Sequence, residues 1–150
     1  MSYLRKAIVS LLKVPDTPER TALAFAIGVF LGFSPFLGLH TVMGVAVAFL
    51  FRLNKIAVML GVWSNVPWLL VPFYSFATWV GVKVMGLPDG ITPPGIGLSD
   101  LFRAEFWVWL GSQWQLLIPA FFGSLLLSVV LALIAYPTAL LVIKRYKAKA

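Results

Sequence analysis

The chain has 150 residues, of which 61% are hydrophobic and 11% are charged, and its mean hydropathy is +0.96. Soluble domains average roughly 45–50% apolar and about 25% charged residues, so this composition predicts a single integral membrane domain over residues 1–150. The formal net charge of +7 does not indicate nucleic-acid binding, because the cations lie just outside apolar runs, where they orient a membrane protein and meet anionic lipid. The absence of cysteine excludes a disulfide framework, an iron–sulfur cluster and a thiolate nucleophile.

The first 16 residues predict an interfacial helix and a linker. Apolar residues in 2–14 recur at helical spacing, with basic residues largely on the opposite face. Thr17 then supplies an N-cap, Pro18 a proline at the first helical position and Glu19 an acid in the first turn. A helix is therefore predicted to begin at about Pro18.

A long apolar run between Arg20 and Lys55 is interrupted by Ser34-Pro35. Residues 22–51 as one helix would be about 45 Å long, against a hydrocarbon core of about 30 Å. The break leaves the first limb, 22–33, at about 18 Å, which is too short to cross alone. We therefore predict a re-entrant helical hairpin over residues 18–51. Gly28 and Gly32 form a G-x-x-x-G face for close helix packing.

The second half of the chain predicts two transmembrane segments. Residues 56–86 form one helix broken near Asn65 and Pro67, since proline removes a backbone donor and disfavours helix at the preceding residue. Residues 87–115 form an extracytoplasmic loop rich in proline and glycine, followed by an aromatic interfacial helix. Residues 116–143 form the last span, and 144–150 a basic tail.

The charges predict the orientation. Basic residues precede the hairpin, follow it at Arg52 and Lys55, and end the chain, whereas the 87–115 connection holds three acids and one arginine. Under the positive-inside rule, the N-terminus, the Arg52 turn and the C-terminus are all cytoplasmic. These three constraints agree only if residues 22–51 return to the side from which they start.

Polar residues expected at membrane depth cluster near the two breaks. Such groups need partners inside the protein, so they are candidates for a binding site. The limb after the first break would also aim unpaired backbone N–H groups at an anion such as a phosphate, with His40 as a further donor. The alternative is that these side chains merely satisfy the broken backbone. The candidate ligand-binding residues are Ser34, Pro35, Gly38, His40, Thr41, Asn65 and Pro67.

No set of residues for catalysis or metal binding is evident. There is one histidine, no cysteine and no acid inside an apolar run. We therefore expect neither an enzyme nor a metal or other cofactor.

The sequence resembles the bacterial domain of unknown function 2062 (DUF2062) over about residues 14–84, and more loosely over the last span. The matching residues are Thr17-Pro18-Glu19-Arg20, Ala22, Gly28-Val29-Phe30-Leu31-Gly32, Pro35, Gly38, His40-Thr41, Arg52-Leu53-Asn54, Asn65 and Pro67. Where the family has proline directly after the second asparagine, this chain has Val66. Some family members are joined to lipid-linked glycosyltransferase domains, and the broken-hairpin pattern is similar to that of DedA-type lipid transporters.

The resemblance implies a protein of the bacterial inner membrane near polyprenyl-phosphate or phospholipid traffic. We expect an all-α membrane protein with a re-entrant hairpin, two transmembrane segments and interfacial amphipathic helices. Because so few spans can hardly enclose a cavity, we also expect a homo-oligomer. The leading hypothesis is non-enzymatic transport or scrambling of an anionic lipid. The alternative is a scaffold that anchors or orients a lipid-modifying partner, such as a lipid-linked glycosyltransferase.

Overall fold

The structure is a computed structural model that describes residues 16–36, 38–86 and 114–149, together with positions 3, 6, 9, 104, 108 and 112. The predicted all-helical fold is confirmed for these residues, which form five helices. They are α1 (Pro18–Phe33), α2 (His40–Leu50), α3 (Lys55–Val62), α4 (Pro67–Met85) and α5 (Trp114–Lys149). Apart from those single positions and the start of α5, the predicted interfacial helices over 1–16 and 87–115 lie outside the described residues.

Local sequence sets both ends of α1. The Thr17 hydroxyl accepts from the Arg20 backbone N–H at 3.3 Å, and Pro18 occupies the first turn. The helix ends at Phe33, directly before the predicted break, where Ser34 adopts an extended conformation (φ −68°, ψ 159°) ahead of Pro35. The Ser34 hydroxyl donates to the Leu31 carbonyl at 2.7 Å, which satisfies one of the carbonyls left free at the helix end.

The turn between α2 and α3 combines a helix stop with a helix start. Arg52 has a positive φ of 51°, and the Leu53 N–H donates to the Ala48 carbonyl at 2.9 Å. This is the hydrogen bond of a Schellman motif, with arginine where glycine is usual. Asn54 then caps α3, because its Oδ1 accepts from the backbone N–H groups of Ile56 at 3.0 Å and Ala57 at 3.2 Å.

The bounds of the later helices differ from the predicted segments. The 56–86 segment is divided into α3, with eight residues, and α4, with 19 residues. At about 28 Å, α4 is by itself nearly as long as a hydrocarbon core. The basic residues from Lys144 to Lys149 continue α5 instead of forming a separate tail. Lysine and arginine are good helix formers and favour the negative C-terminal end of the helix dipole.

The chain forms two compact units, Met1–Val66 with Leu127–Ala150, and Pro67–Leu126. In the first unit, α1 and α3 run parallel and touch through their backbones. A Cβ built on Gly28 would lie 2.9 Å from the Gly61 Cα, and one on Gly32 would lie 2.5 Å from the Val62 carbonyl oxygen. Only glycine permits this approach.

The helix α2 returns beside α1 and packs on α3. Arg20, at the start of α1, donates from Nη2 to the carbonyls of Phe51 at 3.3 Å and Arg52 at 2.9 Å, just after the end of α2. A Cβ built on Gly44 would meet the Val62 side chain at 2.8 Å, so the small residue of α2 faces α3. It is α3, and not α2, that occupies the face of α1 formed by Gly28 and Gly32.

The second unit contains α4 and the first part of α5, and it also has a close backbone approach. A Cβ on Gly81 would lie 2.9 Å from the Pro119 Cα, and one on Gly123 would lie 2.9 Å from the Gly81 N. Glycine at both positions therefore allows α4 and α5 to approach through their backbones.

Two helices, Pro67–Met85 and Gln115–Lys149, are long and apolar enough to cross a membrane, judged by length and composition. A core helix of a soluble protein can pass the same test, but it is mostly buried. Here only 11% and 22% of the residues in the most apolar stretches of these helices are buried. Large apolar side chains such as Trp68 (75% exposed) and Leu133 (70% exposed) face outwards. Such a surface needs lipid or another apolar partner.

Candidate functional site

The two chain breaks lie together at one end of the first unit. Asn65, in the second break, donates from Nδ2 to the Gly32 carbonyl at 2.8 Å, in the last turn of α1. Ser64 mirrors Ser34, because its hydroxyl donates to the Gly61 carbonyl at 2.6 Å, three residues back along its own helix. We call the region formed by residues 32–36, 38–41 and 63–66 the tip.

The predicted site residues occupy the tip in different ways. Ser34 is buried at 1% exposure, and Asn65, His40 and Thr41 are half-buried. Gly38 is exposed and has a φ of 84°, which favours glycine in the connection between α1 and α2. The structure also places Pro35 half-buried in the connection and Pro67 exposed at the start of α4. It therefore joins Asn65 directly to the end of α1 and holds Ser34 beside it.

His40 begins α2 and lies one helical turn before Gly44 on the same face. Since Gly44 packs against Val62 near the end of α3, His40 lies on the α2 face nearer α3, towards the tip. Some backbone N–H groups at the start of α2 already have hydrogen-bond partners. The N–H groups of Leu39 and His40 both donate to the Phe36 carbonyl, at 3.1 and 3.0 Å. The start of α2 therefore offers an anion fewer free N–H groups than the sequence predicts.

The helix ends give the tip a mixed electrostatic character. The C-termini of α1 and α3, which carry the negative ends of the helix dipoles, meet there with the positive N-terminus of α2. In addition, the Asn65 Oδ1 is buried and has no hydrogen-bond partner in the described part of the chain. An unsatisfied buried acceptor costs about 1–3 kcal/mol. The tip thus presents a vacant acceptor as well as the donors that remain at the start of α2.

At the opposite end of α1, several charged contacts hold the first unit together. The Lys144 ammonium donates to the Glu19 carboxylate at 2.8 Å, and this hydrogen bond holds the pKa of the Glu19 carboxyl below its usual value. Lys147 donates to the Asp16 carbonyl at 2.9 Å. Together with the Arg20 contacts to the α2–α3 turn, these bonds fix the start of α1 against α2 and the end of α5.

Sequence reasoning missed these structural contacts. Arg20 and Lys144 were assigned only to the orientation of the chain, and their partners are 31–32 and 125 residues away in sequence. Asn54 could have been found, because an asparagine directly before an apolar run is typical of an N-cap. Among the described residues, no three histidine or acidic side chains come close enough to hold a metal ion.

No curated protein and no solved structure matches the chain. The likeness to DedA-type lipid transporters therefore rests on the sequence pattern alone. One family model does match, and it covers residues 1–150, the whole of the chain. Its description is "Uncharacterized protein conserved in bacteria (DUF2062)". The motif residues on which the resemblance was based include those that build the tip and the start of α1, and the chain belongs to the DUF2062 family.

Proposed function

We propose that this protein is an integral protein of the bacterial inner membrane in which α1 and α2 form a re-entrant hairpin. The exposure of α4 and α5 supports the membrane location. At about 24 Å and 16 Å, α1 and α2 are each shorter than the hydrocarbon core. The Arg20 contacts with Phe51 and Arg52 return the chain to the start of α1, as a hairpin entering and leaving by one face requires. The termini are then cytoplasmic.

We further propose that the protein is a non-enzymatic transporter or scramblase of an anionic lipid. The observation that carries this proposal is the buried, unpartnered Asn65 Oδ1 at the tip. In a membrane, polar groups at depth are costly and usually functional. The Asn65 Oδ1 would accept a hydrogen bond from a donor on the head group of the transported lipid.

The requirement for a hydrogen-bond donor on the head group limits which lipids fit the site. A head group with both a phosphate and a hydroxyl would place the hydroxyl on the Asn65 Oδ1 and the phosphate near His40 and the first turn of α2. Phosphatidylglycerol has this combination. A fully ionised polyprenyl phosphate has no donor for the Asn65 Oδ1. We therefore favour an anionic phospholipid over a polyprenyl phosphate.

A liposome assay tests the proposal. The protein is reconstituted with fluorescent phosphatidylglycerol or polyprenyl phosphate, and the fraction of probe that crosses the bilayer is measured over time. We expect faster crossing than in empty vesicles for phosphatidylglycerol, and loss of that increase in Asn65→Ala and His40→Ala. Ser75→Ala, at an exposed position of α4, is the control. Crossing no faster than in empty vesicles would refute transport.

The second candidate is a scaffold for a membrane partner. It is favoured by an exposed aromatic face on α4, where Phe76 and Trp79 stack at 5.7 Å and are 53% and 56% exposed. Aromatic side chains of this kind anchor protein interfaces. The partner would be a second copy of the chain or a lipid-modifying enzyme such as a lipid-linked glycosyltransferase. If this candidate is correct, Phe76→Ala with Trp79→Ala disrupts assembly, whereas the tip variants leave it intact.

A further inference from the structure

An open apolar groove of about 380 Å³ runs between α1 and the C-terminal part of α5, within the first unit. Small side chains at Ala26 and Ala132 leave room between the two helices. Larger apolar side chains form the walls, and the Tyr136 side chain is the polar one among those that line it. The volume lies within the range of about 300–1,000 Å³ found for small-molecule sites. The wall residues are Leu23, Ile27, Phe30, Val129 and Leu133.

The groove follows the helix axes over a defined depth. Glu19 pairs with Lys144, and the groove lies further along α1 and further back along α5, so the helices are antiparallel here. Leu23 lies about 6 Å beyond Glu19, and Phe30 about 16 Å beyond it. If the charged end of α1 lies at the membrane surface, the groove extends from below the head groups to about the middle of a core of about 30 Å. That is the depth of the acyl chains of one leaflet.

The charged end of the groove has an excess of cations. Arg20, Lys144, Arg145 and Lys147 lie within the first turns of α1 or the last turns of α5. Their acidic neighbours are Glu19, which pairs with Lys144, and Asp16, whose Oδ1 is 4.0 Å from the Arg20 Nε. The Lys144 and Glu19 side chains are 54% and 51% exposed, so a ligand can reach this pair. Basic residues at the surface of a membrane attract anionic head groups.

We propose that the groove holds one acyl chain of an anionic phospholipid, with the phosphate of that lipid against Lys144, Lys147 and Arg20. The proposal rests on the membrane location proposed above, but not on lipid transport. The apolar groove accounts for the chain, and the basic end accounts for the sign of the head group. The lipid would be bound at the side of the hairpin, away from the tip.

A second copy of the protein is a less suitable occupant. If a copy with the same orientation in the membrane placed its own α1 and α5 on the groove, it would bring the same basic residues to the same end. Like charges facing each other disfavour such an interface. An anionic lipid has the opposite charge and can enter sideways from the bilayer.

Photocrosslinking tests the occupant directly. Purified full-length protein is reconstituted with phosphatidylglycerol or phosphatidylcholine that carries a photoactivatable group on one acyl chain, and labelled peptides are located by mass spectrometry. We expect labels concentrated on residues 23–30 and 129–136, with phosphatidylglycerol labelling several-fold more than phosphatidylcholine. Labels spread evenly over the exposed faces of all helices would overturn the proposal.

Matched variants test the apolar groove and its basic end separately. Ala132→Phe fills the groove and should abolish most of this labelling, whereas Val130→Phe, at an exposed position of α5 outside the groove, should not. Lys144→Gln with Lys147→Gln should reduce the preference for phosphatidylglycerol about tenfold. Each cation near the membrane surface raises the affinity for an anionic lipid about several-fold. Lys83→Gln is the charge control. Circular dichroism checks that each variant remains helical.

Two further results distinguish lipid binding in the groove from binding of a second copy there and from lipid transport. The chain lacks cysteine, so Leu133→Cys creates a single reactive site; efficient disulfide-linked dimers with no lipid label in the groove would show that a second copy fills it. Groove labelling in a protein that moves no lipid would uphold the lipid site and refute transport. Lipid movement without groove labelling would uphold transport and refute the lipid site in the groove.

Discussion

The Asn65 Nδ2 donates to the Gly32 carbonyl at 2.8 Å, while the Oδ1 of the same side chain is buried without a partner. One half of the amide therefore has a structural role, since it ties the second chain break to the end of α1. The Oδ1 of the other half stays available to the ligand that we propose. Of the two alternatives considered for Asn65, backbone support is therefore observed, and ligand binding stays a proposal.

Replacing Asn65 should therefore affect stability and transport together. Asn65→Leu removes the donor to Gly32 and leaves that carbonyl unpaired, but it also removes the buried, unpaired Oδ1, so we expect a net loss of about 1 kcal/mol of unfolding free energy. Thermal unfolding in detergent, followed by circular dichroism, measures the loss, and Ser75→Ala is the control. An unchanged midpoint would show that the hydrogen bond to Gly32 stabilises the fold by no more than the unpaired Oδ1 costs it.

The glycines of the α1–α3 crossing should not tolerate a methyl group. Gly28→Ala and Gly61→Ala would each push a Cβ into the backbone of the facing helix, which cannot move aside without separating α1 from α3. We expect at least 1–3 kcal/mol of destabilisation, roughly the cost of overpacking a core. The measurement is thermal unfolding in detergent.

Gly38→Ala is a control in which the cost comes from backbone conformation and not from a steric clash. A Cβ there meets nothing within 4 Å, but the φ of 84° is unfavourable for side chains. Gly38→Ala should cost about 1–2 kcal/mol, and Gly38→Asn less, because asparagine tolerates this conformation. A thermal midpoint of Gly28→Ala equal to that of the wild type would contradict the predicted steric clash.

Arg52 offers a stabilising substitution. It holds a positive φ of 51° at the end of α2, a conformation that costs a non-glycine residue about 1–2 kcal/mol. Arg52→Gly should raise the thermal midpoint by a few degrees, because the Arg20 contact is to the Arg52 backbone carbonyl and survives the change. Arg20→Gln should lower the midpoint, since it removes the guanidinium that binds this turn. A lower midpoint in Arg52→Gly would show that its side chain matters more than the backbone strain.

The Glu19–Lys144 pair should make the attachment of α5 to α1 dependent on pH. The hydrogen bond from Lys144 lowers the pKa of Glu19 in the folded protein, so the pair stabilises the fold above the ordinary value of 4.5. The stabilisation is lost as the pH falls through the lower, folded-state pKa. Because both side chains are exposed, we expect a small effect.

Thermal midpoints measured between about pH 3 and pH 7 test this prediction. Glu19→Gln should lie below the wild type at neutral pH and converge with it in acid. Lys83→Gln, in α4, should follow the wild type at every pH. Parallel curves for Glu19→Gln and the wild type would show that the pair does not act through the protonation of Glu19.

The re-entrant hairpin predicts a particular pattern of accessibility. In a background without cysteine, Thr17→Cys, Lys55→Cys and Lys149→Cys should all react with an impermeant thiol reagent from the cytoplasmic side. Asp89→Cys, in the predicted extracytoplasmic segment, should react from the other side. Labelling of Lys55→Cys only from the extracytoplasmic side would mean that residues 18–51 cross the membrane.

The sequence by itself determined the start and end of α1 and the break before α4. The cap at Thr17, the break at Ser34-Pro35 and the stop before Pro67 act through contacts within one helical turn, so they can be recognised locally. The apolar composition likewise predicted helices that are long and apolar enough to cross a membrane. The family relationship was also available from motif residues, most of which lie at these local features.

Only the tertiary structure decided which faces meet. The sequence showed that Gly28 and Gly32 favour a close neighbour, but α2 and α3 both offer small residues, and the structure places α3 there. The partners of Arg20, Asn65 and Lys144 lie 31 to 125 residues away, where no local preference acts. The vacant Asn65 Oδ1 and the groove beside α1 arise from how helices pack, because free space and unpaired atoms exist only between assembled elements.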